Sequence, residues 1–460
     1  MNPAVALQST TAGVSKPALA VRVLAGICFL AISLTPRAQD PFILSLAAAI
    51  DQTALTPRER LGLRIFFDTS MSEPAGVACA SCHDPRRAFT GNNNTLIGVA
   101  LGSRSDQFGT RDAPTLMYLA TAPRFGSVER DGKRVPAGGH FWDGRADTLE
   151  EQATQPFFNP VEMNNADIPA LIAKVAKSAY AAEFRKVWGE VIFDNPEAAL
   201  DAVAASIAAF ERTRAFQPFT SKFDYVMRGQ AKFSEREQRG LNLFILPQKG
   251  NCAHCHSVDV ASRSPQKSLF TDFSFRALGL PRSTRIPKNS DPAFFDLGLC
   301  ERVPVTGAKL PVTAAKPPVT NPAACGLFKT PTLRNITITA PYMHNGFFDN
   351  LRDAVAFYAT RDTLPARWFP QGKKFDDLPA RYHANVDVET PPYQRRPQQR
   401  PQLTNEEIDD IVDFLYTLTD GYAPELSRSG NRPQAEITPP RSPNPSPAQP
   451  ASSPASSSEY

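Results

Sequence analysis

The stretch that decides the fold is Cys79-Ala80-Ser81-Cys82-His83, and it has a counterpart at Cys252-Ala253-His254-Cys255-His256. In each, two thiols lie three positions apart and a histidine follows at once. That spacing is the attachment signal for c-type haem. On one helical turn the two sulfurs reach the two vinyl groups of the porphyrin. The neighbouring imidazole then turns to the iron as its proximal ligand. A four-cysteine zinc site or a CxxC redox pair would also use the thiols, but neither needs a histidine after each pair. Two covalently bound haems are therefore expected, on Cys79, Cys82 and His83 and on Cys252, Cys255 and His256.

Working outward, the two stretches sit at matching places in an internal repeat. Thr56, Glu59, Gly62 and Phe66 match Ser234, Glu237, Gly240 and Phe244 at identical spacing. Both sets read as capping boxes opening a helix, the first with Pro57 at its first position. Ala113-Pro114-Thr115-Leu116 echoes Thr330-Pro331-Thr332-Leu333, and Trp142-Asp143-Gly144 echoes His344-Asn345-Gly346. Apolar periodicity predicts further helices in 168–188, 196–213 and 350–360, and one capped by Thr404 with Glu407. Strand-like alternation is scarce. The expected fold is mainly α: two similar cytochrome c-like haem domains, 41–220 and 221–422, with long ordered loops.

The chain has 460 residues with Lys+Arg 50 against Asp+Glu 46, a net charge of +4. That is too even for a non-specific nucleic-acid binder. Hydrophobic residues at 42% and charged ones at 21% exclude a fully disordered chain and a polytopic membrane protein. Lys16 and Arg22 precede an apolar run from Val23 to Leu34, followed by the small-residue zone Thr35-Pro36-Arg37-Ala38. Residues 1–38 thus read as an export signal, too short in its apolar part to span a bilayer. No stable membrane insertion is expected after its removal, and the mature protein should work in the periplasm. There Cys300 and Cys325, flanking a Pro- and Lys-containing insertion, could form a disulfide closing that loop; free buried thiols are the alternative, and the sequence does not decide between them. Residues 423–460 are a Pro- and Ser-rich tail with little apolar surface to bury, and are assigned no fold.

Beyond these patterns, the sequence resembles the bacterial di-haem cytochrome c peroxidases and their relative MauG, from roughly 55 to 420. Leu61-Gly62-Leu63-Arg64-Ile65-Phe66-Phe67-Asp68, Phe141-Trp142-Asp143-Gly144-Arg145-Ala146 and Asn159-Pro160-Val161-Glu162-Met163 carry the likeness in the first half. Phe328-Lys329-Thr330-Pro331-Thr332-Leu333-Arg334-Asn335 and Thr339-Ala340-Pro341-Tyr342-Met343-His344-Asn345-Gly346 carry it in the second. The resemblance implies an enzyme that reduces hydrogen peroxide at the His83 haem while the His256 haem holds or transfers electrons. It implies that Gln152 and Glu162 line the peroxide pocket, Glu162 as acid–base and Gln152 orienting. A carboxylate can take a peroxide proton and return it to the leaving oxygen; an amide can only orient. Trp142 matches the family's tryptophan between the haems. The electron donor would be a protein, or a protein side chain oxidised in place.

Counting fourteen residues from His344, the resemblance places the distal ligand of the second haem at Tyr358. The ordinary peroxidases carry methionine there and MauG carries tyrosine. A phenolate favours ferric and higher oxidation states. Met343 is the rival ligand. No histidine lies in 84–139, so the first haem is expected to keep an open sixth position, with His140 as the nearby exception. A calcium ion is implied between the haems. Thr339 and Pro341 match its carbonyl ligands, and Asp112 stands where the family has asparagine. Gly250 stands where MauG has a relay tryptophan, which weakens a shared route to substrate. Residues 124–140 read as a charged insertion available for partner contact. The competing class is a non-enzymatic di-haem electron carrier, which would be six-coordinate at both irons.

Overall fold

The computed structural model describes residues 50, 52–95, 97–302 and 321–424. The expected export signal and nearly all of the tail lie outside the described residues.

Helix α1, Pro57–Phe66, starts where the sequence sets its cap: Thr56 accepts the Glu59 N–H, and the Glu59 carboxylate takes the Thr56 N–H. Leu149–Phe158 (α2) is capped by Thr148, and Ile168–Lys177 (α3) by Asp167. Ala181–Trp188 (α4) and Pro196–Glu211 (α5) complete the helices of the first half. The expected 168–188 helix is therefore two helices. The chain turns extended at Ser178, and the Tyr180 hydroxyl donates to Asp68 at 2.8 Å, which anchors the break. In the second half, Glu235–Ile245 (α6) opens on the Ser234/Glu237 box, Leu351–Thr360 (α7) on Asn350, and Asn405–Tyr416 (α8) on Thr404/Glu407.

The same close crossing occurs in each half. A Cβ on Gly62 would fall 1.9 Å from the Ser206 carbonyl oxygen of α5, and one on Gly240 would fall 1.9 Å from the Asp410 carbonyl oxygen of α8. Only glycine lets these backbones touch. Phe66 then packs edge-on against Phe210 at 5.5 Å, and Phe244 packs tilted against Phe414 at 5.4 Å. Two buried apolar clusters result, one running from Leu61 to Phe216 and one from Phe223 to Leu418.

Sheet is sparse. Gly126–Arg130 (β1) and Lys133–Ala137 (β2) form an antiparallel hairpin with Asp131-Gly132 at its tip. Phe275–Arg276 (β3) pairs with Phe328–Lys329 (β4). An Ala137–Ser274 bridge joins the hairpin to this second pair. No helix among the described residues is long and apolar enough to cross a membrane. Cys300 and Cys325 form a disulfide across a sequence separation of 25.

Candidate functional site

Both CxxCH stretches are single tight turns that start beside an α-helical crossing. His83 follows the Cys79–Cys82 turn and donates its N–H to the Cys79 carbonyl at 2.9 Å; His256 does the same to Cys252 at 2.8 Å. In each ring Nδ1 meets a phenylalanine carbonyl, Phe89 at 2.9 Å and Phe270 at 3.0 Å. Both phenylalanines have φ of 54°, a left-handed turn that brings the carbonyl back over the imidazole. Nδ1–H donation leaves the Nε2 lone pair free and orients it, which is how a metal-binding histidine is held. Burial pushes His83 down to about 4 and lowers His256, so both rings are neutral.

Cys79, Cys82, Cys252 and Cys255 are unpaired, whereas Cys300 and Cys325 are bonded. Burial raises all four free thiols above their ordinary range. A thiol redox pair needs a lowered pKa, so these pairs are poor candidates for one.

Cys252, Cys255 and His256 line a cavity of about 210 Å³ with Trp142, Met343 and Tyr358. Leu278, Leu280, Val355 and Leu415 also face it. A flat apolar group fits such walls. Tyr358 comes from α7, and its hydroxyl makes no hydrogen bond among the described residues. Burial, then the Cys255 and Cys252 thiols, raise its pKa. Tyr358 is half-buried and lines the cavity, so its hydroxyl is available to a group bound there. Met343 faces the same cavity, held at φ 73°. Tyr393 lies beside Tyr358, ring centroids 6.1 Å apart, under the guanidinium of Arg361 at 4.0 Å. Its place was not legible in the sequence, because the loop around it carries no periodic signal.

Trp142 lies on the same cavity wall. Its indole N–H donates to the Asp112 carbonyl at 2.9 Å. Next to it, Asp143 bridges Arg111 at 2.7 Å and Arg145 at 3.0 Å, and Arg111 also holds Asp296 at 2.6 Å. Burial alone would raise the Asp143 carboxyl; the two guanidiniums outweigh it and hold the group well below its ordinary range.

Gln152 lies on α2 and Glu162 in the turn that follows it. Glu162 is close enough to Cys82 and Cys79 to raise both thiols, which puts its carboxyl beside the first CxxCH turn. Burial raises Glu162, with Arg145 and Asn159 pulling partly back. The Gln152 side chain makes no hydrogen bond among the described residues. A second carboxyl, Glu211 at the end of α5, also acts on Cys79, and burial pushes it up to about 8. Sequence reasoning missed it because Glu211 reads as the polar end of an amphipathic helix. His140 is buried with Nδ1 unpartnered. Burial pushes it down to about 4, and its electrostatic neighbours are Lys329, Glu150 and Arg212.

Asp112, Thr339 and Pro341 all line the cavity. Asp112 is buried, accepts from Asn92 at 2.9 Å, and has no ion pair among the described residues. The Thr339 and Pro341 carbonyls accept no hydrogen bond there. Three such oxygens suit a hard divalent cation. Arg87 donates to the intervening Ala340 carbonyl. The 124–140 insertion, read as available for partner contact, forms the 126–137 hairpin, which is tied to the second CxxCH turn. Arg130 donates to the His254 carbonyl at 2.6 Å and to Asp272 at 2.6 Å.

Comparison with known proteins gives the same class. A family model described as "Di-haem cytochrome c peroxidase" matches residues 56–232. The chain is 37% identical over 375 residues to the methylamine utilization protein MauG of Paracoccus denitrificans, covering 80% of this chain and 90% of that protein. It is 30% identical over 310 residues to the cytochrome c551 peroxidase of Nitrosomonas europaea, covering 66% and 74%. Among solved structures it superposes on the diheme peroxidase BthA of Burkholderia thailandensis with TM-score 0.73 and 41% identity, over 82% of this chain and 89% of that one. The chain belongs to the di-haem cytochrome c peroxidase and MauG family of oxidoreductases.

Proposed function

We propose that this chain is an exported, periplasmic di-haem peroxidase of MauG-like type. It reduces hydrogen peroxide and draws the electrons from a donor protein or a protein side chain. The observation that carries the reading is the pair of half-buried CxxCH turns with free thiols, each with its histidine fixed through Nδ1 and its Nε2 left open. Cys79, Cys82 and His83 would hold one haem; Cys252, Cys255 and His256 the other. When bound, the haems supply iron that takes peroxide at one centre and exchanges single electrons at both.

The chain's own residues supply the rest. Glu162 takes a proton from the incoming peroxide and returns one to the departing oxygen; its raised pKa suits both halves of that task. Gln152 orients. Trp142 would relay electrons between the two centres; its N–H bond to the Asp112 carbonyl and its place in the lining of the second centre's cavity support that role. Tyr358 would hold the iron of the second centre, supported by a hydroxyl that makes no hydrogen bond among the described residues and by its nearness to the Cys255 and Cys252 thiols. Calcium would take Asp112, Thr339 and Pro341. The recurring Gly62 and Gly240 crossings support a duplicated domain, with halves at 41–220 and 221–422.

The test is to add hydrogen peroxide to the fully oxidised protein and follow its absorption. The proposal expects a reaction at once, because the loop 84–139 after the first CxxCH carries no histidine to close that centre. A protein inert until one haem is reduced contradicts it.

A further inference from the structure

Lys329 is 8% exposed, yet its ammonium has no acceptor and no carboxylate within ion-pair distance among the described residues. Its backbone is fixed. It pairs with Phe275 across β3 and β4, and its N–H donates to the Trp142 carbonyl at 2.8 Å. The carboxylate it feels most, Asp143, is already bound by Arg111 and Arg145. Its other neighbours are the His140 imidazole, which burial keeps neutral, and the Phe273 ring, with Nζ 5.6 Å from the centroid. A buried cation without a counter-charge is costly, and buried charges are found paired. Burial lowers Lys329 only to about 8, so the group stays charged at neutral pH.

What it faces is the cavity of the second CxxCH. Lys329 lines that cavity with Cys255 and His256, and the carbonyl of Pro331, two residues on, reaches the His256 ring. Arg276 lines the same wall, but it is only half-buried and donates to the Phe275 carbonyl at 3.1 Å. Haem carries two carboxylates and is the one group expected here that could neutralise a buried ammonium. We propose that Lys329 is the counter-ion of a haem carboxylate at the His256 centre, and that its charge sets how readily that centre accepts an electron. The inference rests on the two-haem reading. Lys329 is a positioning residue: it touches the rim of the group, not the reacting atoms. A cation held beside the centre favours its reduced form electrostatically.

The experiment is a potentiometric titration of the two-haem protein, following each centre by absorption, in wild type and in Lys329→Met, Lys329→Gln and Lys329→Arg. At a fixed solution potential the ratio of reduced to oxidised His256 centre should fall about tenfold or more in Met and Gln. It should stay near wild type in Arg, and the His83 centre should not move. An unchanged ratio in Met and Gln overturns the proposal, and so does an equal shift at both centres. If Met and Gln fail to take up the second haem while Arg does, the counter-ion role is supported. Failure of Arg as well counts against it. A wild-type protein with no haem absorption would instead remove the two-haem reading itself.

Discussion

The Trp142 indole and the His344 imidazole meet with ring centroids 6.4 Å apart and planes at 69°. Their carbonyls are held in a matched way: Asp112 N–H donates to His344 at 2.8 Å, and Lys329 N–H to Trp142 at 2.8 Å. In the sequence repeat Asp112 aligns with Lys329 and Trp142 with His344. The two rings therefore lie beside two backbone contacts of the same kind. Phe328 stacks on the far face of His344 at 3.5 Å. Trp142→Phe removes the indole donor to Asp112, a loss of about 1 kcal/mol in stability. Its functional effect should be larger. Rapid-mixing absorption should show peroxide consumed at the first centre at near-normal rate, with the response of the second centre slowed many-fold.

Glu162→Gln should slow the peroxide step by about 10²–10⁴, the usual range for a lost acid–base group. In the wild type the base form must be ionised. Its pKa is raised by burial, so the rate should fall as pH drops through a value above the ordinary glutamate range. The variant should lose that acid limb. Stopped-flow rates against pH read both effects.

Arg334 and Asp224 form an ion pair with both side chains fully buried, at 2.9 Å. Arg334 also donates to the Ser268 and Pro265 carbonyls, just ahead of the Phe270 carbonyl that orients His256. Arg334→Ala leaves the buried Asp224 carboxylate without its counter-charge, its remaining partners being the Ser221 N–H and hydroxyl, and denaturant unfolding should show a loss of about 3–5 kcal/mol.

Gly62→Ala and Gly240→Ala should each lose about 3 kcal/mol or more, since a backbone carbonyl must shift to admit the methyl group. Removing the Cys300–Cys325 bond should cost about 3 kcal/mol, from the freedom a chain with separation 25 regains on unfolding. Thermal unfolding of each variant checks these losses.

Much of this was legible in the sequence, for local reasons. Capping boxes are short-range chemistry, so the starts of α1, α6 and α8 were readable at Thr56, Ser234 and Thr404. The CxxCH turns were readable because attachment demands adjacent residues. The 126–137 hairpin was missed, although Asp131-Gly132 is a strong hairpin turn signal and both residues have positive φ. The break at Ser178 was missed because its cause, the Tyr180 contact with Asp68, spans more than a hundred residues. Glu211, Tyr393 and Lys329 were invisible for the same kind of reason. Burial of a polar side chain is decided by what packs over it, and the chain does not show that locally.

The most direct test is the mass of the denatured, purified protein. Thioether bonds survive unfolding, so the account predicts a polypeptide heavier by two haems, falling to one when either cysteine pair is changed to alanine. A mass equal to the unmodified chain would contradict it.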